Sequence, residues 1–94
     1  MRVRWLRRAL RSLDDEAGYI AADSPAAAQL VVQRVLEAVA MLSEHPGMGR
    51  PGRVPGTREF VVLNTRYIVP YRVRGQTIEV LRVFHTSRRL PGRW

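Results

Sequence analysis

The spacing of apolar residues changes once in the body of this chain, and that change constrains the fold more than any other feature. From residue 6 to residue 44, apolar side chains recur every three or four positions, which is typical of amphipathic helices. From residue 57 to residue 84, apolar and polar residues tend to alternate, which indicates β-strands. The two patterns predict an α+β fold in which helices cover one face of a sheet.

A break at Asp23-Ser24-Pro25 divides the helical region. Ser24 suits the N-cap position, and Pro25 suits the first helical position, where no amide donor is needed. We therefore predict one helix over residues 6–22 and a second from residue 25 to about residue 44. Because the break is short, the two helices are expected to form an antiparallel hairpin.

Four strands complete the predicted order β-α-α-β-β-β. A short strand over residues 1–5 precedes the helices, and strands over residues 57–63, 66–74 and 77–84 follow them. Residues 45–56 contain three prolines and four glycines, so no regular element is expected there. We predict a helical hairpin packed on a small antiparallel sheet, all within one domain of residues 1–94.

The dipeptide Gly75-Gln76 predicts a type II′ turn and thereby a register for the last hairpin. The face assigned to the helices carries the pairs Val73/Ile78, Tyr71/Val80, Val69/Arg82 and Tyr67/Phe84. The opposite face carries Arg72/Glu79, Pro70/Leu81, Ile68/Val83 and Arg66/His85. Two helices cover only one face, so the second is expected to need a partner. Pro70 has no amide to donate and belongs at an edge or a bulge.

Composition excludes several classes of site. The chain has no cysteine, which excludes disulfides, thiolate zinc sites and a cysteine nucleophile. Its two histidines, His45 and His85, lie in separate segments, and we expect no metal and no cofactor. No apolar run reaches the ~18 residues that span a bilayer. No signal-peptide pattern is present, so we expect a cytoplasmic protein without a membrane partner.

The charge of the chain indicates an anionic partner. All 16 basic residues are arginine, and the net charge is +8. A compositional preference for arginine would explain this without function, but guanidinium groups also match phosphates and carboxylates in bidentate geometry. Nucleic acid, a machine that works on nucleic acid, and an acidic protein all stay open as partners.

Four stretches, in this order along the chain, resemble the RelE/ParE toxins. They are residues 19–28 (YIAADSPAAA), 45–52 (HPGMGRPG), 67–73 (YIVPYRV) and 78–85 (IEVLRVFH). The resemblance implies a type II toxin that a cognate antitoxin, of the ParD kind or similar, neutralises. It leaves two targets open, because RelE-like members cut mRNA in the ribosome, whereas ParE-like members inhibit DNA gyrase without cutting RNA.

Departures from the RelE pattern favour the ParE branch. That pattern places lysines in the second strand, an arginine after the aromatic residue that opens the third strand, and an arginine and a tyrosine near the C-terminus. This chain has Glu59 and Val61 at the lysine positions and Ile68 at the position of the arginine in the third strand. Its tail has no tyrosine. The resemblance therefore implies a gyrase-inhibiting binding protein, with a ribosome-dependent mRNA endonuclease as the alternative.

A nuclease would need a proton donor and acceptor elsewhere in the chain. Imidazole titrates near neutral pH, so His85 is the candidate, with Arg82 or Arg88 stabilising charge on the phosphate. The simpler interpretation is that His85 ends a strand and forms local hydrogen bonds. His45, beside Pro46, is expected to be an exposed residue at a helix end.

In a gyrase inhibitor the arginines would act by contact. The target-binding candidates are Arg50, Arg53, Arg58, Arg66, Arg82 and Arg88. Those beside the loop have a simpler interpretation as solvated side chains, and Arg82, on an apolar face, would need a structural partner such as Asp15 or Glu37. Arg72 opposite Glu79 is expected to be an exposed pair worth about 0.2–1 kcal/mol. A nucleic-acid-reading module is a third class, but its recognised sequence patterns are missing.

Overall fold

The computed structural model describes residues 1–88 and 92–94. Within these residues, two helices and six strands follow one another along the chain. They are β1 (Arg2–Trp5), α1 (Arg7–Ala21), α2 (Pro25–Glu44), β2 (Arg50–Pro51), β3 (Arg58–Val61), β4 (Tyr67–Arg74), β5 (Thr77–Val80) and β6 (Phe84–His85). The predicted α+β order is confirmed. The expectation of no regular element over residues 45–56 is wrong, because β2 pairs there with β3.

The strands form one mixed sheet. Their order is β1-β5-β4-β3-β2, and β6 also pairs with β4. β1 runs parallel to β5, whereas the other pairs are antiparallel. The prediction of an antiparallel sheet is therefore wrong at this edge. The chain between β1 and β5 includes both helices, and connections of that length permit parallel pairing.

The helical hairpin covers one face of the sheet. The Ser24 hydroxyl accepts a hydrogen bond from the Ala27 amide at 3.2 Å, and Pro25 begins α2, as predicted. Val35 and Leu42 of α2 are fully buried in one core cluster with Tyr71, Ile78 and Val80 of the sheet. The assignment of this sheet face to the helices is thus confirmed for β4 and β5, but Val83 and Phe84 are exchanged: Val83 lies in this core and Phe84 on the opposite face.

By length and composition alone, α2 is apolar enough to cross a membrane, with a mean hydropathy of 1.3 over 18 residues. A single helix of this kind is weak evidence, because core helices of globular proteins pass the same test. Here α2 supplies Val35, Val39 and Leu42 to the core against the sheet.

The predicted hairpin register is confirmed near the turn and wrong beyond it. Gly75 has a φ of +56°, as the first position of a type II′ turn requires. Pairing follows the prediction from Arg74/Thr77 to Tyr71/Val80. The pairing is then interrupted over residues 81–83 and resumes with the register shifted by one residue. The pairs formed are Ile68/Phe84 and Tyr67/His85, in place of the predicted Ile68/Val83, Tyr67/Phe84 and Arg66/His85, and Val69/Arg82 falls at the break.

Pro70 accounts for the break. Its carbonyl accepts a hydrogen bond from the Leu81 amide at 2.9 Å, so its nitrogen faces the same neighbouring segment. That nitrogen cannot donate, and residues 81–83 stand against only Val69 and Pro70, so the ladder contains one extra residue, which is a β-bulge. Pro70 therefore lies at a bulge in a central strand and not at an edge.

The second face of the sheet, called here the outer face, is partly covered by the chain itself. Trp94 packs on Ile68 and Leu81, and its ring meets Phe84 edge-on at 5.4 Å. Leu6 and Val54 complete this second cluster. The expectation that this face needs a partner is therefore wrong for its apolar centre. The predicted irregular tail includes residues 89–91, which lie outside the described residues.

Candidate functional site

A pocket of about 520 Å³ lies between α1, the start of β4 and residues 85–88. We call it the Glu16 pocket, after the carboxylate that it contains. Its lining includes Glu16, Tyr19, Arg66, Tyr67, His85 and Arg88. Three of the predicted functional residues, Arg66, His85 and Arg88, are therefore brought together here from separate positions in the sequence.

Glu16 is a buried carboxylate on the apolar side of α1. It follows Leu13 by three residues and precedes Ile20 by four, so the helical period turns its side chain toward the sheet. A charge buried there must be paired. Arg88 Nη1 donates to Glu16 Oε2 at 2.7 Å, and the Tyr67 hydroxyl donates to Oε1 at 3.1 Å. These two bonds tie the segment after β6 and the start of β4 to α1.

The electrostatics of the pocket hold its donors in their protonated forms. Burial, reinforced by the negative charge of Glu16, raises the pKa of Tyr67 to about 12. The hydrogen bond to Glu16 raises the pKa of Arg88 above its ordinary value. Tyr67 is therefore a hydrogen-bond donor at neutral pH and unsuited to act as a base.

His85 is fixed by its neighbours. Its ring meets Tyr67 edge-on at 5.1 Å, and its Nδ1 accepts a hydrogen bond from the Ser87 amide at 3.2 Å. The Ser87 hydroxyl lies 2.6 Å from the same nitrogen. These contacts agree with the simpler interpretation of His85 as a residue that closes a strand end, although its ring also lines the pocket.

The strand positions that the RelE pattern uses lie on the face of the sheet opposite the Glu16 pocket. Glu59 is opposite Pro70, and Val61 is opposite Ile68, so all four belong to the outer face. His85 is opposite Tyr67, whose side chain belongs to the helix-covered face. Ile68 is 1% exposed and is covered by Trp94. Glu59 and His85 thus cannot share one site.

The arginines beside the loop, Arg50, Arg53 and Arg58, stabilise the fold of residues 45–53. Glu59 is buried and accepts hydrogen bonds from Arg50 Nη2 at 3.3 Å and from the Arg53 amide at 3.0 Å. Arg58 Nη1 donates to the carbonyl of Gly49 at 2.8 Å. Arg50 and Arg58 are therefore more than solvated side chains, and none of the three lines the Glu16 pocket.

Arg82 lies in the bulge and does not line the pocket. Its Nε is buried without a hydrogen-bond partner. Neither Asp15 nor Glu37 forms an ion pair with Arg82 in the part of the chain that the structure describes. The expected structural partner is thus not found there.

Sequence reasoning missed the residues that hold the loop in place. The Tyr71 hydroxyl donates to the Pro46 carbonyl at 2.7 Å and accepts from the Gly49 amide at 2.9 Å. A Cβ at Gly49 would lie 2.6 Å from that hydroxyl, so only glycine fits. Sequence reasoning also missed Glu16, although a carboxylate among the apolar positions of a helix indicates a buried charge. His45 is exposed at the end of α2, as predicted.

A second concave surface lies on the helical hairpin. It has a volume of about 820 Å³ and is open to solvent. We call it the hairpin groove. Small side chains form much of it, with Val32 and the half-exposed Leu36 along α2. Its lining includes Ala17, Gly18, Ala21, Ala28, Val32, Leu36 and Ala40.

Known proteins share this architecture. Among solved structures, one described as "Chromosomal ParDE TA system from P. aeruginosa" is similar at a TM-score of 0.80 and 33% identity, covering 90% of this chain and 95% of that one. The family model "ParE toxin of type II toxin-antitoxin system, parDE" matches residues 3–90. The chain belongs to this ParE toxin family. The resemblance to RelE/ParE toxins is therefore confirmed.

Two curated relatives match nearly the whole ParE-family chain. A Sinorhizobium fredii protein named "Putative toxin Y4kP" is 47% identical over 90 residues, which are 96% of this chain and 93% of that protein. "Toxin RelE2" of Caulobacter vibrioides is 35% identical over 86 residues, or 92% of this chain and 96% of that protein. The chain is a toxin of a type II toxin-antitoxin system, and membership in this family implies an antitoxin partner.

Proposed function

We propose that this ParE-family toxin arrests growth by binding and inhibiting DNA gyrase. One observation favours gyrase inhibition over mRNA cleavage. The positions that the RelE pattern uses for catalysis, Glu59, Val61 and Ile68, lie on the outer face. The carboxylate of Glu59 is occupied by loop contacts, and Ile68 lies beneath Trp94.

The groups of the Glu16 pocket also favour binding over proton transfer. Tyr67 and Arg88 are donors whose pKa values lie above their ordinary ones, and both are engaged by Glu16. General acid–base cleavage needs a proton acceptor as well as a donor. His85 is the group left for that role, and its Nδ1 already bonds to Ser87.

Among the six arginine candidates, Arg53 and Arg66 are the best positions at which to test target contact by mutation. Both are exposed. Within the described residues, Arg53 uses only its amide and Arg66 only its carbonyl in hydrogen bonds, so their guanidinium groups do not hold the fold. Arg50, Arg58 and Arg88 anchor local structure, and reversing their charge would weaken the fold together with any contact.

The direct test is a paired assay with purified protein. One arm measures supercoiling by gyrase on relaxed plasmid, and the other maps mRNA ends in a translating ribosome mixture. We expect supercoiling to be inhibited and mRNA to stay intact, with Arg66→Glu weakening inhibition at least tenfold. Gyrase that works normally, beside codon-specific mRNA cuts that vanish with His85→Ala, would establish the nuclease alternative.

The nuclease alternative has one observation in its favour. His85, Arg66 and Arg88 line a single pocket, although they are separated by up to 22 positions in sequence. An imidazole beside two guanidinium groups is a set that can move a proton and stabilise charge on a phosphate. The ribosome arm of the assay addresses this arrangement directly.

We further propose that the antitoxin occupies the hairpin groove. The net charge of +8 favours an acidic partner, but Asp14 and Glu37 are among the residues that line the groove. An amphipathic helix therefore suits it, with its apolar face in the groove and its acidic residues outside. Hydrogen exchange of toxin with and without antitoxin tests this. Protection should extend over α1 and α2, whereas protection confined to residues 45–57 would contradict it.

Residues 1–94 act as one domain, and the site of action is the cytoplasm, where gyrase and ribosomes both reside. Expression of the chain alone should arrest growth, and co-expression of the small neighbouring gene should restore it. This result would support the pairing of the toxin with that antitoxin.

A further inference from the structure

Four arginines lie at one end of the outer face, away from the surfaces described above. Arg4, Glu79 and Arg72 form one row across β1, β5 and β4, and Arg2, Thr77 and Arg74 form the next row. Residues two apart on a strand share a face, so all four arginines are on the same side of the sheet. The helices cover the other side, where Tyr71, Ile78 and Val80 lie in the core. We call Arg2, Arg4, Arg72 and Arg74 the arginine patch.

A single buried carboxylate organises the patch. Arg72 Nε donates to Glu79 Oε1 at 2.6 Å, and Arg74 Nε lies 3.5 Å from the same oxygen. Arg4 Nη1 donates to Oε2 at 3.4 Å. The expected exposed Arg72/Glu79 pair is therefore wrong, because the Glu79 side chain is only 7% exposed. The hydrogen bond from Arg72 lowers the pKa of Glu79, so the carboxylate stays ionised at neutral pH.

The patch holds more positive charge than Glu79 can neutralise. Four guanidinium groups and one carboxylate leave a local charge of +3. Arg2 and Arg4 lie on β1, and Arg72 and Arg74 lie on β4, the two strands that flank β5, so their like charges repel across about 10 Å and this surplus opposes folding. The side chains of Arg4 and Arg74 are 68% and 66% exposed, and each guanidinium keeps donors that Glu79 does not use. Glu79 thus restrains the guanidinium groups while leaving their outer edges to an external anion.

We propose that the arginine patch binds the phosphate backbone of duplex DNA. Guanidinium groups match phosphate oxygens in bidentate geometry. Strand spacing places the four arginines within roughly 7 by 10 Å, and each strand of a DNA duplex presents one phosphate about every 3.4 Å along the axis. Several phosphates can therefore meet the patch at once.

The neighbours of the patch distinguish a DNA backbone from other anions. A protein interface has an apolar centre, but the two rows of the patch contain only arginine, threonine and glutamate. Single-stranded nucleic acid is held by stacking on aromatic side chains, and these rows have none. Phosphate contacts alone carry no sequence information, so the binding is independent of sequence. The inference does not depend on gyrase being the target.

The test is fluorescence anisotropy of a labelled 20-bp duplex of arbitrary sequence, titrated with purified toxin between 50 and 200 mM salt. Four phosphate contacts predict an affinity loss of about 150-fold over this range, and two contacts a loss of about 12-fold. Arg4→Gln/Arg74→Gln should therefore show the smaller salt dependence and bind at least tenfold more weakly at 50 mM salt. These two arginines are the most exposed of those that contact Glu79.

The matched control is Arg7→Gln/Arg11→Gln, which removes the same charge from exposed positions on α1. It should keep the salt dependence of the unmodified protein, and thermal unfolding should show that both variants are folded. Equal losses in the two double variants would overturn the proposal, because net charge alone would then explain the binding. Tighter binding of a single strand, or of polyglutamate, would also overturn it.

Discussion

Glu16 shows at the level of one residue how a charge becomes part of a core. Its two partners reach it from β4 and from the segment after β6, which are distant in sequence. Removing one partner from a buried pair costs more than the pair contributes, because the remaining group loses its hydrogen bond without regaining water. The stability of the pocket therefore depends on all three residues together.

Glu16→Ala should lower the free energy of unfolding by about 2–3 kcal/mol, since the Tyr67 hydroxyl and Arg88 both lose their acceptor. Glu16→Gln keeps an acceptor for Tyr67 and should cost less than Glu16→Ala. Urea unfolding measures both. Glu44→Ala, at an exposed helix end, is the control and should stay within about 0.5 kcal/mol. Equal effects at positions 16 and 44 would contradict this account of the pocket.

The raised pKa of Tyr67 predicts a loss of stability in alkali. Its folded value of about 12 lies above the ordinary 10.0, so the neutral phenol is favoured in the folded state. This contribution, about 2–3 kcal/mol, is complete below pH 10 and is lost as the pH rises from 10 to 12. Thermal unfolding between pH 9 and pH 12 should show a shallower decline for Tyr67→Phe. Parallel curves would refute the assignment.

The contact between Gly49 and Tyr71 predicts a second local effect. Gly49→Ala places a methyl group 2.6 Å from the Tyr71 hydroxyl and should destabilise the fold by about 1–3 kcal/mol. Gly47→Ala is the matched control, because no atom lies within 4 Å of its added Cβ. Chemical denaturation separates the two. A Gly49→Ala protein as stable as Gly47→Ala would mean that the loop adapts freely.

The two faces of α1 contribute to different surfaces. Ala17, Gly18 and Ala21 line the hairpin groove, whereas Glu16 and Tyr19 line the Glu16 pocket. A segment bound in the groove would therefore contact the same helix that supports the pocket, from its other side.

If the antitoxin occupies the hairpin groove, Leu36→Asp should weaken the complex by at least tenfold, because it places a charge in an apolar contact. Leu36 is 49% exposed in the free toxin, so its replacement should leave the fold intact. Leu10→Asp is the control, being 52% exposed on α1 and outside the groove. Calorimetric titration with antitoxin compares them. The same affinity for both variants would place the antitoxin elsewhere.

The elements differ in how far the sequence predicts them. The helices and the Gly75 turn were predictable because a helical period, an N-cap and a type II′ turn are local signals. The parallel edge at β1, the bulge opposite Pro70 and the cover supplied by Trp94 depend on segments that meet only in three dimensions. For the same reason, His85, Arg66 and Arg88 could be named as candidates, but their shared pocket around Glu16 could not be predicted.

For the whole molecule, the described residues form three separate surfaces on a small basic domain. The hairpin groove lies on the helices, the Glu16 pocket lies between α1 and the sheet, and the arginine patch lies on the outer face. We propose that they contact the antitoxin, the target through Arg66, and the DNA backbone in turn. A toxin that binds its target needs contact surfaces and no proton relay, so His85 should be dispensable.

Inhibition of gyrase supercoiling, measured as the toxin concentration that halves the reaction, distinguishes a gyrase-binding toxin from a nuclease. The unmodified toxin and His85→Ala should give values within about threefold of each other, whereas Arg66→Glu should need at least tenfold more protein. Thermal unfolding of each variant verifies that it is folded. Supercoiling that continues undisturbed at saturating concentrations of folded, growth-arresting toxin would show that the protein does not act on gyrase.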